Sequence, residues 1–207
     1  MQGVDQGNTW QITGVNAGTV QETSSSDVLS FENFESLTGG TDVDTFVYFV
    51  GGSISGLIDG NSGGVQDRVN LTAIEAPTNV QIGSAVNGNI NLLNIEIIDR
   101  SSVNAENSFL YHTLASSVDD SYTWNIDDAF SGNVHPTDGA NIDNRIYFTN
   151  FGNAVGGMGE DLVNYTGAGT LTSFNGGGGS GALQLNYYET SAPFDITIGE
   201  TYLNVDE

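Results

Sequence analysis

Two segments carry residues whose order could bind a hard cation: GGTDVDTF at 39–46 and GGMGEDLV at 156–163. Both approach the pattern Gly-Gly-x-Gly-x-Asp-x-apolar. In that pattern the glycines expose carbonyls at a tight turn, and an aspartate from the adjoining turn completes an oxygen cage for calcium. The second segment fits every defined position, with Val163 as the apolar one; the first has Asp42 where a glycine is expected. Asp42, Asp44 and Asp161 are therefore candidate ligands, followed by Asp59 and Asp67 in IDGNSGGVQD. Calcium rolls, however, stack consecutive nonapeptides that share each ion, and here each segment stands alone. The plainer expectation is a Gly-Gly turn whose aspartate caps the backbone. No cofactor is then required, and calcium is the ion such turns would take.

Catalytic readings find less to build on. A polysaccharide lyase needs Lys or Arg to abstract a proton or neutralise a uronate, and the chain has no lysine and only Arg68, Arg100 and Arg145. Paired carboxylates could serve a glycosidase, and Asp119-Asp120 and Asp127-Asp128 are adjacent pairs. Neighbouring side chains on a strand point to opposite faces, so such a pair does not by itself make a dyad. His112 and His135 are the only histidines, with His135-Pro136 reading as a loop, and no G-x-S-x-G elbow accompanies them. The expectation is a protein without enzymatic activity. Trp10 and Trp124 could be sugar-stacking platforms or core residues, and Tyr147, Tyr187 and Tyr188 are candidates for an exposed face.

Composition narrows the partners. The formal net charge is −23, from 26 acidic and 3 basic residues. Binding a phosphate backbone needs clustered Lys and Arg, so nucleic acid is excluded, and anionic lipid with it. No apolar run approaches the roughly 18 residues that read as a membrane-spanning helix. Residues 1–30 lack a basic start and an apolar core, so no secretion signal is expected there, and Met1 reads as a start codon or the edge of a fragment. The absence of cysteine fits an extracellular bacterial protein and many cytosolic ones alike.

The chain repeats itself. TWQITGVNAGTV (9–20) aligns with TWNIDDAFSGNV (123–134) at an offset of 114, and the only two tryptophans coincide. FENFESLTGGTDVDTF (31–46) aligns with FTNFGNAVGGMGEDLV (148–163) at an offset of 117, and GSISGLIDG (52–60) meets GTLTSFNG (169–176), where Asn175 replaces Asp59. Two copies of one module follow, spanning 1–110, which includes an aliphatic extension at 78–99, and 111–207. Together they are expected to form one continuous unit.

Short runs such as TFVYFV, DRVNLT, RIYFTNF, DLVNYT and FDITIG alternate apolar and polar residues between Gly, Asn, Asp and Ser, which is the mark of half-buried strands. No convincing helical period exists; 101–118 reads as loop plus strand with room for a short helix. The fold class is all-β. A right-handed parallel β-helix, a solenoid of stacked coils, is preferred to a β-sandwich closed by hairpins. Asn-Gly and Asp-Gly turns between matched strands are few, and Asn-rich turns suit amide ladders between coils.

The order TW-x-ITG-x-N-AGTV, then F-x-N-F-E-S-LTGG-x-x-x-DTFV, then G-x-ISG-x-IDG resembles the repeat units of large secreted bacterial surface proteins, the filamentous-haemagglutinin-like and calcium-repeat-like adhesins. It is strongest over 8–72 and looser over 122–187, and 78–120 carries no matching motif. The resemblance implies an extracellular or cell-surface location and a β-helical structural or adhesive segment. Its partners would be copies of itself or of the parent protein, met through the end strands, or cell-surface glycans. Alternatives are a self-assembling extracellular filament subunit and a carbohydrate-binding β-sandwich module.

Overall fold

The computed structural model describes residues 1–62, 66–83, 89–112, 121–137, 145–157, 159–177, 183–188 and 203–204. Its described residues are all-β, with nineteen strands and one 3-10 turn at Ala105–Asn107, which lies inside the one stretch with room for a helix. The strands form two sheets, of twelve and seven strands, and no barrel closes among the described residues.

The large sheet contains β1 (Asn8–Gly14), β2 (Ala17–Glu22), β3 (Val28–Glu32), β5 (Thr45–Tyr48), β7 (Arg68–Leu71) and β10 (Ile97–Arg100) from the first copy. From the second it takes β12 (Tyr122–Asp128), β13 (Ser131–Pro136), β14 (Ile146–Thr149), β16 (Asp161–Thr166), β18 (Leu183–Tyr188) and β19 (Leu203–Asn204). In space the order is β3-β2-β1-β5-β7-β10, then β14-β13-β12-β16-β18-β19. The second six repeat the first six place for place, so the duplication in the sequence is a duplication of sheet topology. Within each six the first three strands pair antiparallel and the rest parallel. The two sixes meet where β10 pairs parallel with β14, Ile98 opposite Phe148.

The small sheet holds β4 (Leu37–Thr38), β6 (Leu57–Asp59), β8 (Asn79–Ile82), β9 (Ile90–Leu93), β11 (Phe109–His112), β15 (Asn153–Val155) and β17 (Ser173–Asn175), all joined in parallel. From β4 onward the chain passes repeatedly between the sheets, and β11 runs through the expected module boundary at 110/111. One apolar cluster lies between them, drawing Phe46, Val69 and Ile98 from one sheet and Ile58, Leu92 and Leu110 from the other. The alternating runs account for this: β5, β7 and β10 each bury every second residue.

Hairpins are more prominent than the scarcity of Asn-Gly turns suggests, because their turns use a different signal. β1 and β2 pair from Asn8↔Glu22 to Gly14↔Ala17, and Asn16 takes the left-handed conformation (φ 53°). In the second copy Phe130 occupies that place (φ 57°) without a following glycine. Opposite each turn a glycine is obligatory. A Cβ on Gly18 would sit 1.9 Å from the Gln11 carbonyl oxygen, and one on Gly132 would sit 2.0 Å from that of Asn125.

Candidate functional site

The Gly-Gly turns hold their aspartates against backbone and indole. Asp44 is fully buried. Its Oδ1 accepts from the Asn8 backbone N–H (2.9 Å) and Asn8 Nδ2 (2.7 Å), and its Oδ2 accepts from the Gly40 N–H (2.6 Å). Glycine is required because a Cβ on Gly39 would lie 2.4 Å from Asp44 Oδ2. In the second copy a Cβ on Gly156 would lie 2.2 Å from Asp161 Oδ2, and Trp124 Nε1 donates to Asp161 Oδ1 at 3.4 Å. Asp161 Oδ2 is buried without a hydrogen-bond partner.

Neighbouring strands extend this arrangement. The Asp44 N–H donates to Asp67 Oδ1 (2.7 Å), and the Asp67 N–H donates to Glu96 Oε2 (2.7 Å). Each carboxyl thus satisfies an amide at the start of the neighbouring strand, a stack of caps along one end of β1, β5, β7 and β10. Burial raises the carboxyls of Asp44 and Glu96, with Asn8 and Gly40 holding Asp44 back. Burial pushes Asp67 up to about 7, opposed by the Asp44 N–H and reinforced by the charges of Glu96, Asp44 and Asp59. Asp161 is pushed up to about 7 by burial, against the pull of the Trp124 indole and the Gly157 backbone amide.

The other candidates are dispersed. Asp42 is exposed, and Asp59 Oδ1 accepts from the Asn61 N–H and Asn94 Nδ2, both at 2.8 Å. Among the described residues no group of three or more His, Asp or Glu side chains converges as a metal cage. The amides and indole that hold Asp44 and Asp161 favour the capping reading of the turns. Melting midpoints in EDTA and in ~10 mM calcium are therefore expected to agree within about a degree. A calcium-dependent rise of roughly 5 °C or more would make the turns metal sites.

Asp127 and Asp128 are exposed at the end of β12, Asp128 accepting from the Ala129 N–H (2.7 Å), while Asp119 and Asp120 lie outside the described residues. His135 and Pro136 end strand β13 rather than forming a loop. His112 is buried, its ring 3.8 Å from that of Tyr122. Tyr147 is exposed on β14, and the Tyr187 and Tyr188 side chains fall outside the described residues.

Both tryptophans are wholly buried. Trp10 meets Phe31 edge-on at 5.9 Å and 65°, and Trp124 meets Phe148 at 6.0 Å and 64°. The expected amide ladder exists but is built from strand residues rather than turn residues, and it runs across neighbouring strands. Asn186 donates to Asn164, Asn164 to Asn125, and Asn125 to Asn133, all within 3.0 Å.

Among the described residues, the outermost strands of the large sheet are paired on one side only. β3 is one of these strands, with Val28 57% and Leu29 59% exposed; β19 is the other. In the small sheet the outer strand β4 is covered, because the Thr38 N–H donates to the Met1 carbonyl and the Gly3 N–H to the Thr38 carbonyl, both at 2.8 Å.

Searches against family models, curated proteins and solved structures found no match to this chain.

Proposed function

We propose that this chain is a non-enzymatic, parallel β-helical segment of an exported bacterial surface or extracellular-matrix protein, with a structural and adhesive role. The observation that carries the reading is the six-plus-six repeat of the large sheet, β3-β2-β1-β5-β7-β10 followed by its counterpart. A module that repeats its topology and continues its hydrogen bonding across the join is built to extend a surface. Repeated passage of the chain between two sheets, the small one parallel throughout and the large one parallel outside its two three-strand antiparallel blocks, supports a coil, and the strong preference for right-handed crossovers favours a right hand. The surface that such a coil exposes is acidic and free of lysine, a composition that suits a soluble exterior in salt.

The test is attachment. Displayed on a non-adherent bacterium, the segment is expected to raise retention on glycan-coated surfaces or aggregation with other displaying cells. Retention no higher than that of cells displaying an unrelated acidic domain would sink the adhesive role. Release of reducing ends from neutral or acidic polysaccharides by the purified chain would sink the non-enzymatic one.

A further inference from the structure

We propose that the open edge of β3 is a docking site for the β19 edge of a second copy of this chain, so that copies join head to tail in the register of the internal β10–β14 junction. The inference deepens the structural reading above by naming the partner and the strand pair.

The molecule carries its own template for the contact. β14 and β3 hold the same place in the repeat, each the outermost of three antiparallel strands. Phe148 and Phe31 are equivalent, each packed on its tryptophan, and the turn residues that follow, Asn150 and Asn33, share φ values of 64° and 63°. β10 and β19 are likewise equivalent, the sixth strand of each set, parallel to β7 and β18. Thus β10 on β14 is the junction that β19 would form on β3.

The backbone of β3 is ready for it. At the internal junction the Tyr147 N–H donates to the Glu96 carbonyl at 2.8 Å. Tyr147 corresponds to Ser30 and Glu96 to Leu203, so the Ser30 N–H faces outward and would donate to Leu203 of the incoming copy, placing Asn204 opposite Ser30. Burial follows the same logic. Ile146 and Thr149, beside β10, are half-buried, while their counterparts Leu29 and Glu32 are exposed. An unpaired strand presenting apolar side chains invites another strand.

The contact joins two different surfaces of one chain, so it does not close on itself and propagates into a filament. The charge of −23 on each copy opposes approach, and the opposition is screened as ionic strength rises. Sedimentation velocity of the full chain, from micromolar to near-millimolar concentration in 0.05 M and 1 M NaCl, is expected to reveal species growing beyond dimers, more at high salt. A chain that stays monomeric throughout overturns the docking, while leaving attachment by single displayed copies to be judged by its own assay.

Ser30→Pro removes the outward N–H but none that pairs with β2, so it should melt like the wild type and fail to assemble alone. Leu29→Lys, a purely side-chain change on the same edge, should do the same. Because Ser30→Pro keeps its β19 edge, adding about one part in ten to the wild type should shorten the assemblies by terminating growth. Assembly that persists in both variants, or wild-type assemblies unaffected by added Ser30→Pro, would overturn the head-to-tail contact.

Discussion

Replacing Trp124 with alanine is expected to cost about 3–5 kcal/mol of stability, the range for deleting a large aromatic from a packed core. For a chain of this size that lowers the melting midpoint by roughly 10 °C or more. The magnitude follows from the packing: Trp124 has no exposed surface and contacts Phe148, Phe174 and His112 ring to ring. Its indole N–H also reaches Asp161, so the truncation strips a donor from an already under-satisfied carboxyl. Trp10→Ala should cost a similar amount, since Phe31 and Phe46 flank it in the same way. Thermal melts of both, beside the exposed control Tyr147→Ala, decide the matter. Midpoints within a degree or two of the wild type would return the tryptophans to the surface as ligand platforms.

Acidification from pH 8 to pH 5 is expected to stabilise the fold, the reverse of ordinary acid denaturation. Asp67 and Asp161 titrate near 7 when folded and near the usual carboxylate value when unfolded. Between those values the folded chain binds more protons, so stability is fully present below the unfolded value and is lost as pH rises through about 7. From about 7 down to pH 5 each group contributes about 2.7 kcal/mol at full strength, and the remainder is gained only below pH 5. Halving that for water at the cluster leaves about 1.3 kcal/mol each, or roughly 5–10 °C for the pair. Asp44 and Glu96 shift in the same direction. The double variant Asp67→Asn, Asp161→Asn should flatten the profile over this window. A wild-type midpoint that falls between pH 8 and pH 5 would show these carboxyls to be ionised in the fold.

The parts of this architecture that announce themselves in the sequence are those encoded locally. Period-two runs such as TFVYFV name their own buried face, and the equivalent tryptophans mark the duplication because they fill equivalent holes. The Gly-Gly-Asp turns are visible too, and so is the choice they pose between a cation and a backbone amide. The carboxyl stack is less visible, because its members are 23 and 29 residues apart and obey no motif. Asp67 stands out only as a metal candidate and Glu96 carries no motif; the pairing of neighbouring strands joins them. The hairpins were understated for a different reason. Their left-handed turn residue is Asn16 in one copy and Phe130 in the other, and nothing in a phenylalanine advertises a positive φ. The candidate site is thus legible in its turns, and its extension across neighbouring strands depends on strand order.

The arginines of this sheet give a final consequence. Arg68 opens β7 and pairs with Asp99 at 3.3 Å. Arg100 closes β10 and is 1% exposed, its guanidinium donating to the carbonyls of Ser101, Val103 and Ala76. Arg145 immediately precedes β14. With no lysine in the chain, these are the only bonds at which a trypsin-like protease could cut, and all three border the strands around the internal join. A protease must draw out an extended stretch of backbone, which paired strands yield only by opening. Scission after Arg100 therefore requires β10 to part from its neighbours, and its rate is a clock for the opening of that seam.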